Sequence, residues 1–216
     1  MEDQFQTYLG WYLPEARLEY SKLPECGGLE LLLIEAGFDD SQLSFDQIER
    51  LSDDPPYWIF CWASGRAMAQ LILSGGIDVK GKVVADFGAG SGVVAIAAKL
   101  AGASQVYACD IDERCRELTT LNAKRNGVEL HVIDDLSSIS EPIDLILAAD
   151  VLYEKKNLAF LDLMLNACES VVIADSRLKH MPDHRFRHFQ TLTTTSFPDF
   201  QEAKANNEVK FYRSEG

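Results

Sequence analysis

The chain has 216 residues, 47% of them hydrophobic and 25% charged, with a formal net charge of −14 from 20 basic and 34 acidic side chains. That is enough for one sizeable core, but no apolar run approaches the roughly 20 residues a bilayer span requires. The acid excess disfavours phosphate backbones as partners, and an odd set of five cysteines with no CxxC pair argues against a disulfide framework or a structural zinc site. The opening residues MEDQFQ hold two acids and no base. They lack the basic start and apolar run of a secretory signal and the arginines of a presequence, so the expected location is cytoplasmic.

Residues 1–54 carry 13 acids and 3 bases, and the composition shifts at Asp53-Asp54-Pro55-Pro56. These residues are read as an acidic accessory layer and 55–216 as the main domain, because 54 residues rarely bury enough apolar area alone. Within the layer, 29–36 is apolar but ambiguous between strand and helix. Residues 66–74 predict a helix ending at Gly75-Gly76. A buried strand follows at 83–87, a helix at 93–101, a strand at 105–109 and a helix at 113–125. Strands at 129–133 and 144–148, a helix at 158–167 and a strand at 171–174 complete the series. Strands apolar throughout, alternating with helices, predict a parallel sheet covered on both faces. Residues 186–194 are ambiguous, while 200–204 and 209–213 predict a hairpin turning at Asn206-Asn207.

The sharpest motif is Val83-Val84-Ala85-Asp86-Phe87-Gly88-Ala89-Gly90-Ser91-Gly92. A strand runs into a Gly-x-Gly-x-Gly turn and then a helix, so the backbone turns tightly and a ligand approaches with no Cβ in its way. The dinucleotide fingerprint GxGxxG would place its third glycine at position 93, which is Val93. A carboxylate at Asp86 is awkward beside a pyrophosphate and suits a ligand carrying a cation, such as the amino acid end of S-adenosylmethionine. Asp110 lies 22 residues after Gly88 at the end of the next strand, where an acid accepts hydrogen bonds from ribose hydroxyls. Ile111 beside it is a further candidate cofactor contact. Asp135, with Asp134 next to it, follows the third strand of the series and is a candidate for an adenine contact; a solvated turn is the alternative.

Residues 83–153 resemble a class I S-adenosylmethionine-dependent methyltransferase. The segment Asp54-Pro55-Pro56-Tyr57-Trp58-Ile59-Phe60-Cys61-Trp62-Ala63-Ser64-Gly65 resembles the aromatic entry segment of a lysine methyltransferase group. Within that group it is most similar to the electron transfer flavoprotein β-subunit lysine methyltransferases and their bacterial counterparts, over about residues 54–178. The chain departs from that group's usual residues at Ala63, where proline is usual, and at Leu152, where an aromatic is frequent. The resemblance implies a Rossmann-like α/β fold with a mainly parallel seven-stranded sheet, helices on both faces and an antiparallel C-terminal hairpin. It implies S-adenosylmethionine as cofactor, S-adenosylhomocysteine as product, and a protein substrate bearing a target lysine, electron transfer flavoprotein β subunit among the possibilities.

Asp150-Val151-Leu152-Tyr153 follows the fourth predicted strand of the main domain. No proline follows Asp150, which disfavours the Asn/Asp-Pro-Pro-Tyr chemistry of amide and adenine methylation; Asp-x-x-Tyr resembles the corresponding motif of seven-stranded lysine methyltransferases. Asp150 is assigned to orienting the substrate amine and to the cofactor site, and Tyr153 to hydrogen-bonding the amine or presenting its ring face. Helix capping by Asp150 and core packing by Tyr153 are the alternatives. Trp62 is assigned to the cofactor site. Trp58 and Trp62 either line a tunnel or pack between the layer and the sheet. Asp175-Ser176-Arg177 is placed to close the same crevice. His180, His184 and His188 lie four apart, but Pro182 interrupts them, so no metal is assigned. The basic run at 177–188 is read as a solvated face. Two rival functions stand beside protein-lysine methylation: methylation of a small amine or nicotinamide-like molecule, and non-catalytic binding of S-adenosylmethionine.

Overall fold

The structure, a computed structural model, describes residues 2–39, 41, 43–199 and 207–215. It is built on a seven-stranded sheet whose strands are β3 (Val83–Phe87), β4 (Gln105–Cys109), β5 (His131–Ile133), β6 (Leu145–Ala149), β7 (Val171–Asp175), β8 (Phe186–Thr193) and β9 (Glu208–Ser214). The spatial order is β5-β4-β3-β6-β7-β9-β8. The first five are parallel, and β9 runs antiparallel to both β7 and β8. This is the expected Rossmann-like arrangement with its antiparallel C-terminal pair. The chain reverses its direction of travel across the sheet between β3 and β6, so a crevice opens at their carboxyl ends.

The strand interiors are buried as their apolar runs require: Val84, Ala85, Ile146, Leu147, Val172 and Ile173 are all sealed from solvent. Helices α3 (Ala63–Leu73) and α4 (Val93–Leu100) cover one face, and α6 (Ala159–Ala167) the other. Gly65 lets α3 and α4 approach closely; a Cβ there would sit 3.0 Å from Val93 Cγ1. Helix α3 begins three residues earlier than its sequence suggests. No side chain caps it locally. Its first N–H groups bond instead to distant partners, Ala63 to Ser196 Oγ (3.2 Å) and Ser64 to Asp150 Oδ2 (3.3 Å), so no start signal stands in the neighbouring residues.

The acidic N-terminal stretch forms α1 (Glu2–Tyr12), a hairpin of β1 (Leu18–Lys22) and β2 (Glu30–Ile34), and α2 (Phe45–Asp53). The ambiguous apolar run is therefore a strand. Side chains of α5 (Glu113–Arg125) complete its edge: Asn122 Oδ1 accepts from Leu32 N (2.8 Å), and Asn126 Oδ1 from Glu30 N (2.9 Å). Phe5, Leu9, Leu32 and Trp58 pack with Cys115, Leu118 and Leu121 of α5 in one cluster. Trp58 is thus interior packing, in edge contact with Phe5 at 5.4 Å, and not a tunnel wall.

At the other end, the partner of β9 is β8, the run that was ambiguous; the expected strand at 200–204 lies outside the described residues. β8 is an edge strand with mostly exposed side chains and a register shift between His188 and Gln190, which breaks the alternation that would reveal it.

Candidate functional site

The glycine turn leaves β3 and enters α4 with Gly88, Gly90 and Gly92 all at positive φ (77°, 54° and 82°). The three glycines serve different ends. A Cβ on Gly88 would lie 2.7 Å from Val151 Cγ1, and one on Gly92 2.9 Å from Thr119 Cγ2, so these two permit packing inside the protein. A Cβ on Gly90 would meet nothing within 4 Å. Gly90 is where the turn faces open space.

The turn is held from below and from the side. Cys109 O accepts from Gly88 N (2.9 Å) and Ala89 N (3.1 Å). Asp110 Oδ2 accepts from Gly90 N at 2.8 Å, and Oδ1 from Asp112 N at 3.0 Å. From α5, Thr119 Oγ1 donates to Gly90 O (3.1 Å) and Asn122 Nδ2 to Ser91 O (2.9 Å). Asn122 therefore joins the glycine turn to the N-terminal hairpin. Thr119 and Asn122 escape sequence reading because each looks like an ordinary polar helix residue.

Asp86 is buried beneath the turn, and its Oδ2 accepts from Ala95 N in the first turn of α4 at 3.0 Å. Burial raises its pKa to about 7, against the Ala95 hydrogen bond, with the charge of Asp110 adding to the rise. Asp110 is also raised, mainly by burial. The Cys109 thiol registers the combined field. Burial first, and then Asp110, Asp135, Asp86 and Asp134, push it up to about 12. Asp86, Asp110, Asp134 and Asp135 thus gather at the carboxyl ends of β3 to β5. Ile111 is 89% exposed beside Asp110, an apolar side chain with nothing folded over it. Asp135 is exposed and bonds its own turn, Oδ1 accepting from Ser137 N at 2.7 Å.

Across the crevice, Asp150 follows β6 at φ 52°, a left-handed conformation uncommon outside glycine. Four donors hold its carboxylate. Oδ1 accepts from Ser64 Oγ (2.7 Å), Ser176 N (3.0 Å) and Ser176 Oγ (2.9 Å), and Oδ2 from Ser64 N (3.3 Å). The carboxylate ties β6, β7 and the start of α3 together at the crevice, and Oδ2 keeps acceptor capacity. The alternative of a helix cap does not hold: Glu154 occupies the cap position of the following 3-10 turn, Lys155–Leu158. Ser64 lies 86 residues from Asp150, a distance no local pattern reports.

Tyr153 is 48% exposed, so it is not interior packing. Its ring lies 5.8 Å from that of Tyr57, which is 44% exposed; Tyr57 meets Trp62 at 6.1 Å, and Trp62 meets Phe60 at 5.2 Å. Trp62 Nε1 donates to Tyr57 O (3.0 Å), and the Arg177 guanidinium stands 5.4 Å from the Trp62 ring. These rings form an open aromatic rim. The entry segment that carries them is clamped by Arg114, whose two terminal nitrogens bond Asp54 at 2.8 and 2.9 Å and hold its carboxyl down at about 2. Asp175 also faces this region: Oδ1 accepts from Arg177 N and Leu178 N, and Oδ2 is buried without a partner.

The remaining sequence signals resolve locally. Arg185 pairs with Asp183 and Asp162, and Arg187 with Glu215, so much of the basic run is already compensated. The histidines at 180, 184 and 188 share no helix, and no metal-binding cluster occurs among the described residues. The five cysteines are free and buried. No helix among the described residues is long and apolar enough to cross a membrane.

Comparison with known proteins bears on the family and the fold. Residues 69–180, just over half of the chain, match the ribosomal protein L11 methyltransferase (PrmA) family. The electron transfer flavoprotein beta subunit lysine methyltransferase of Rattus norvegicus is 34% identical over 141 residues, covering 62% of this chain and 55% of that protein. The chain thus spans little more than half the length of that curated relative. Two solved structures share the fold. The ribosomal protein L11 methylase of Lactobacillus delbrueckii subsp. bulgaricus has a TM-score of 0.53 and 21% identity, over 70% of this chain and 78% of that one. The magnesium protoporphyrin IX methyltransferase of Synechocystis, solved with bound S-adenosylmethionine, has a TM-score of 0.53 and 16% identity, over 82% and 87%.

Proposed function

The chain belongs to the ribosomal protein L11 methyltransferase (PrmA) family, and from that premise we propose that it is an S-adenosylmethionine-dependent methyltransferase acting on a lysine side chain of a protein. The observation that carries this reading is the juxtaposition across one crevice. A glycine turn with open space at Gly90 and two acids, Asp86 and Asp110, faces Asp150 and an aromatic rim. The cofactor suits the residues present. In this reading Asp110 would accept from the ribose hydroxyls, Asp86 would supply negative charge for the amino acid ammonium, and exposed Ile111 would give apolar cover to the adenine.

When bound, the sulfonium supplies an electrophilic methyl that the amine lone pair takes in one in-line displacement, the C–S electron pair leaving with the thioether. The protein's part is to align the amine and exclude water. A free lysine titrates near 10.4 and as ammonium has no lone pair. Asp150 Oδ2 accepts a hydrogen bond from the amine and orients it, while the rings of Tyr153, Tyr57 and Trp62 desolvate it and favour the neutral form. A carboxylate raises an ammonium pKa, so Asp150 orients and the proton leaves to solvent. The half-exposed rim favours an extended protein chain over a small amine, which a closed pocket would suit better. The name of the rat relative makes electron transfer flavoprotein beta subunit the first substrate to test. Free buried thiols suit the reducing cytoplasm in which we place it.

The decisive assay incubates the protein with methyl-labelled cofactor, a cell lysate and purified electron transfer flavoprotein. A labelled protein band, with label on lysine, supports the proposal. Label in small molecules alone would transfer the activity to a small amine. Cofactor binding by calorimetry with no label anywhere would leave a binding module.

Asp86 yields a pH prediction. A carboxyl raised to about 7 in the free protein is drawn to its ionised form by a cationic ligand. Cofactor affinity is therefore expected to rise about tenfold per pH unit up to about pH 7, with a proton released on binding, and to flatten above. Asp86→Asn, which can still accept from Ala95 N, should abolish the slope. The folded value lies above the unfolded one, so the free protein should lose stability as pH climbs from about 4 to about 7. Calorimetry in buffers of different ionisation enthalpy, with thermal melts across that range, reads both effects; a pH-independent affinity would refute the assignment.

A further inference from the structure

Helix α2 contributes no buried residue, although Phe45, Ile48 and Leu51 recur on one side of it. Phe45 is 91% and Ile48 52% exposed. Local bonds make the helix: Ser44 Oγ accepts from Gln47 N (3.3 Å), and Gln47 Oε1 accepts from Ser44 N (2.8 Å). Arg50 ties it to α1 by donating to Trp11 O at 2.9 Å. Of the stripe, only Leu51 packs against the N-terminal cluster; Phe45 and Ile48 stay exposed and add nothing to the core.

Leu51, the last member of the stripe, lines a groove of about 250 Å³ shared with Leu13, Phe38, Leu43 and Pro56. The groove is also lined by Tyr57, Phe60 and Trp62, rings of the crevice rim. Leu51 thus connects the helix to the groove, and Tyr57 connects the groove to Tyr153; Phe45 and Ile48 extend the apolar side along α2 toward its N-terminus. At roughly 100° per residue, Asp46, Glu49 and Asp53 run along the helix surface beside the stripe. None of these three takes part in the ion pairs among the described residues. The layer that bears the stripe holds 13 acids against 3 bases.

We propose that α2 and this groove dock a cationic, apolar-anchored segment of the protein substrate and lead its target lysine to the aromatic rim. The inference rests on the lysine methyltransferase reading and adds where the substrate is held. Charge selects the occupant. Nucleic acid and anionic lipid are repelled, and a second copy would set two acidic faces against each other.

The test uses the full chain without cofactor. The probe is a fluorescein-labelled peptide of lysine and leucine, about four helical turns long with one apolar face, followed by anisotropy at about 150 mM salt. The wild type should bind it, and Phe45→Ser with Ile48→Ser should weaken binding at least about tenfold with the charge unchanged. Both side chains are exposed, so circular dichroism and the melting temperature should not move; Asp46→Lys with Glu49→Lys should weaken binding independently. Equal affinity of the serine variant, or equal binding of a peptide with serine in place of leucine, would overturn the proposal. So would a wild-type dimer that the serine substitutions dissolve. With the unmethylated form of the protein that the labelling assay identifies as substrate, the serine variant should raise KM at constant kcat. Peptide binding needs no methyl transfer, so a failed labelling assay and a failed docking surface are told apart.

Discussion

Asp150→Ala is expected to lower kcat by at least about a hundredfold, the range lost when a positioned polar group at a reacting centre is removed, while the protein still binds S-adenosylmethionine. The loss has two sources. The amine loses its acceptor, and Ser64 and Ser176 lose the carboxylate that joins α3, β6 and β7. Alanine at φ 52° also costs roughly 1 kcal/mol in backbone strain. Asp150→Asn separates these effects. Asparagine tolerates the left-handed conformation, and its oxygen can keep the bonds from Ser64 Oγ, Ser176 N and Ser176 Oγ while its amide nitrogen gives up only the 3.3 Å bond from Ser64 N, so the melting temperature should fall less than in the alanine variant. Its charge is gone, so kcat should still fall substantially. Steady-state kinetics beside thermal melts read the two quantities. An Asp150→Asn variant that turns over at the wild-type rate would remove Asp150 from the chemistry and leave it a purely architectural residue.

Asp110→Ala should weaken S-adenosylmethionine binding by about a hundredfold or more. Hydrogen bonds to a charged group contribute about 1.5–3 kcal/mol each, and the substitution removes those to the ribose together with the anchor of Gly90 N. The fold should tolerate it. Burial raises the Asp110 pKa, so the carboxylate is held at a cost in the free protein, and removing it offsets part of the loss from unpaired Gly90 and Asp112 amides. Calorimetry with S-adenosylmethionine and S-adenosylhomocysteine measures the effect. An affinity within about threefold of wild type would place the ribose elsewhere and undo the assignment of this crevice as the cofactor site.

Legibility in the sequence followed the range of the interaction concerned. The glycine turn was readable because positive φ at Gly88, Gly90 and Gly92 demands glycine at those positions themselves. Asp86 and Asp110 were readable because each sits at the end of an apolar strand, where an acid is out of pattern. The entry segment was readable as an aromatic cluster, yet its division of labour was not: Trp58 is buried against Phe5, while Trp62, four residues on, joins the rim. Only the packing of α1 beneath Trp58 separates them.

By itself, then, the amino-acid order determined a doubly covered parallel sheet and the acid-flanked turn at its carboxyl edge, since burial and backbone conformation act on adjacent residues. The three-dimensional arrangement alone decided the start of α3, the pairing of β9 with β8, and the partners of Asp150. It also decided that α2 leaves Phe45 and Ile48 exposed. Those outcomes depend on donors and surfaces from segments remote in the chain, and a serine, an asparagine or an exposed phenylalanine carries no local mark of the partner it will meet.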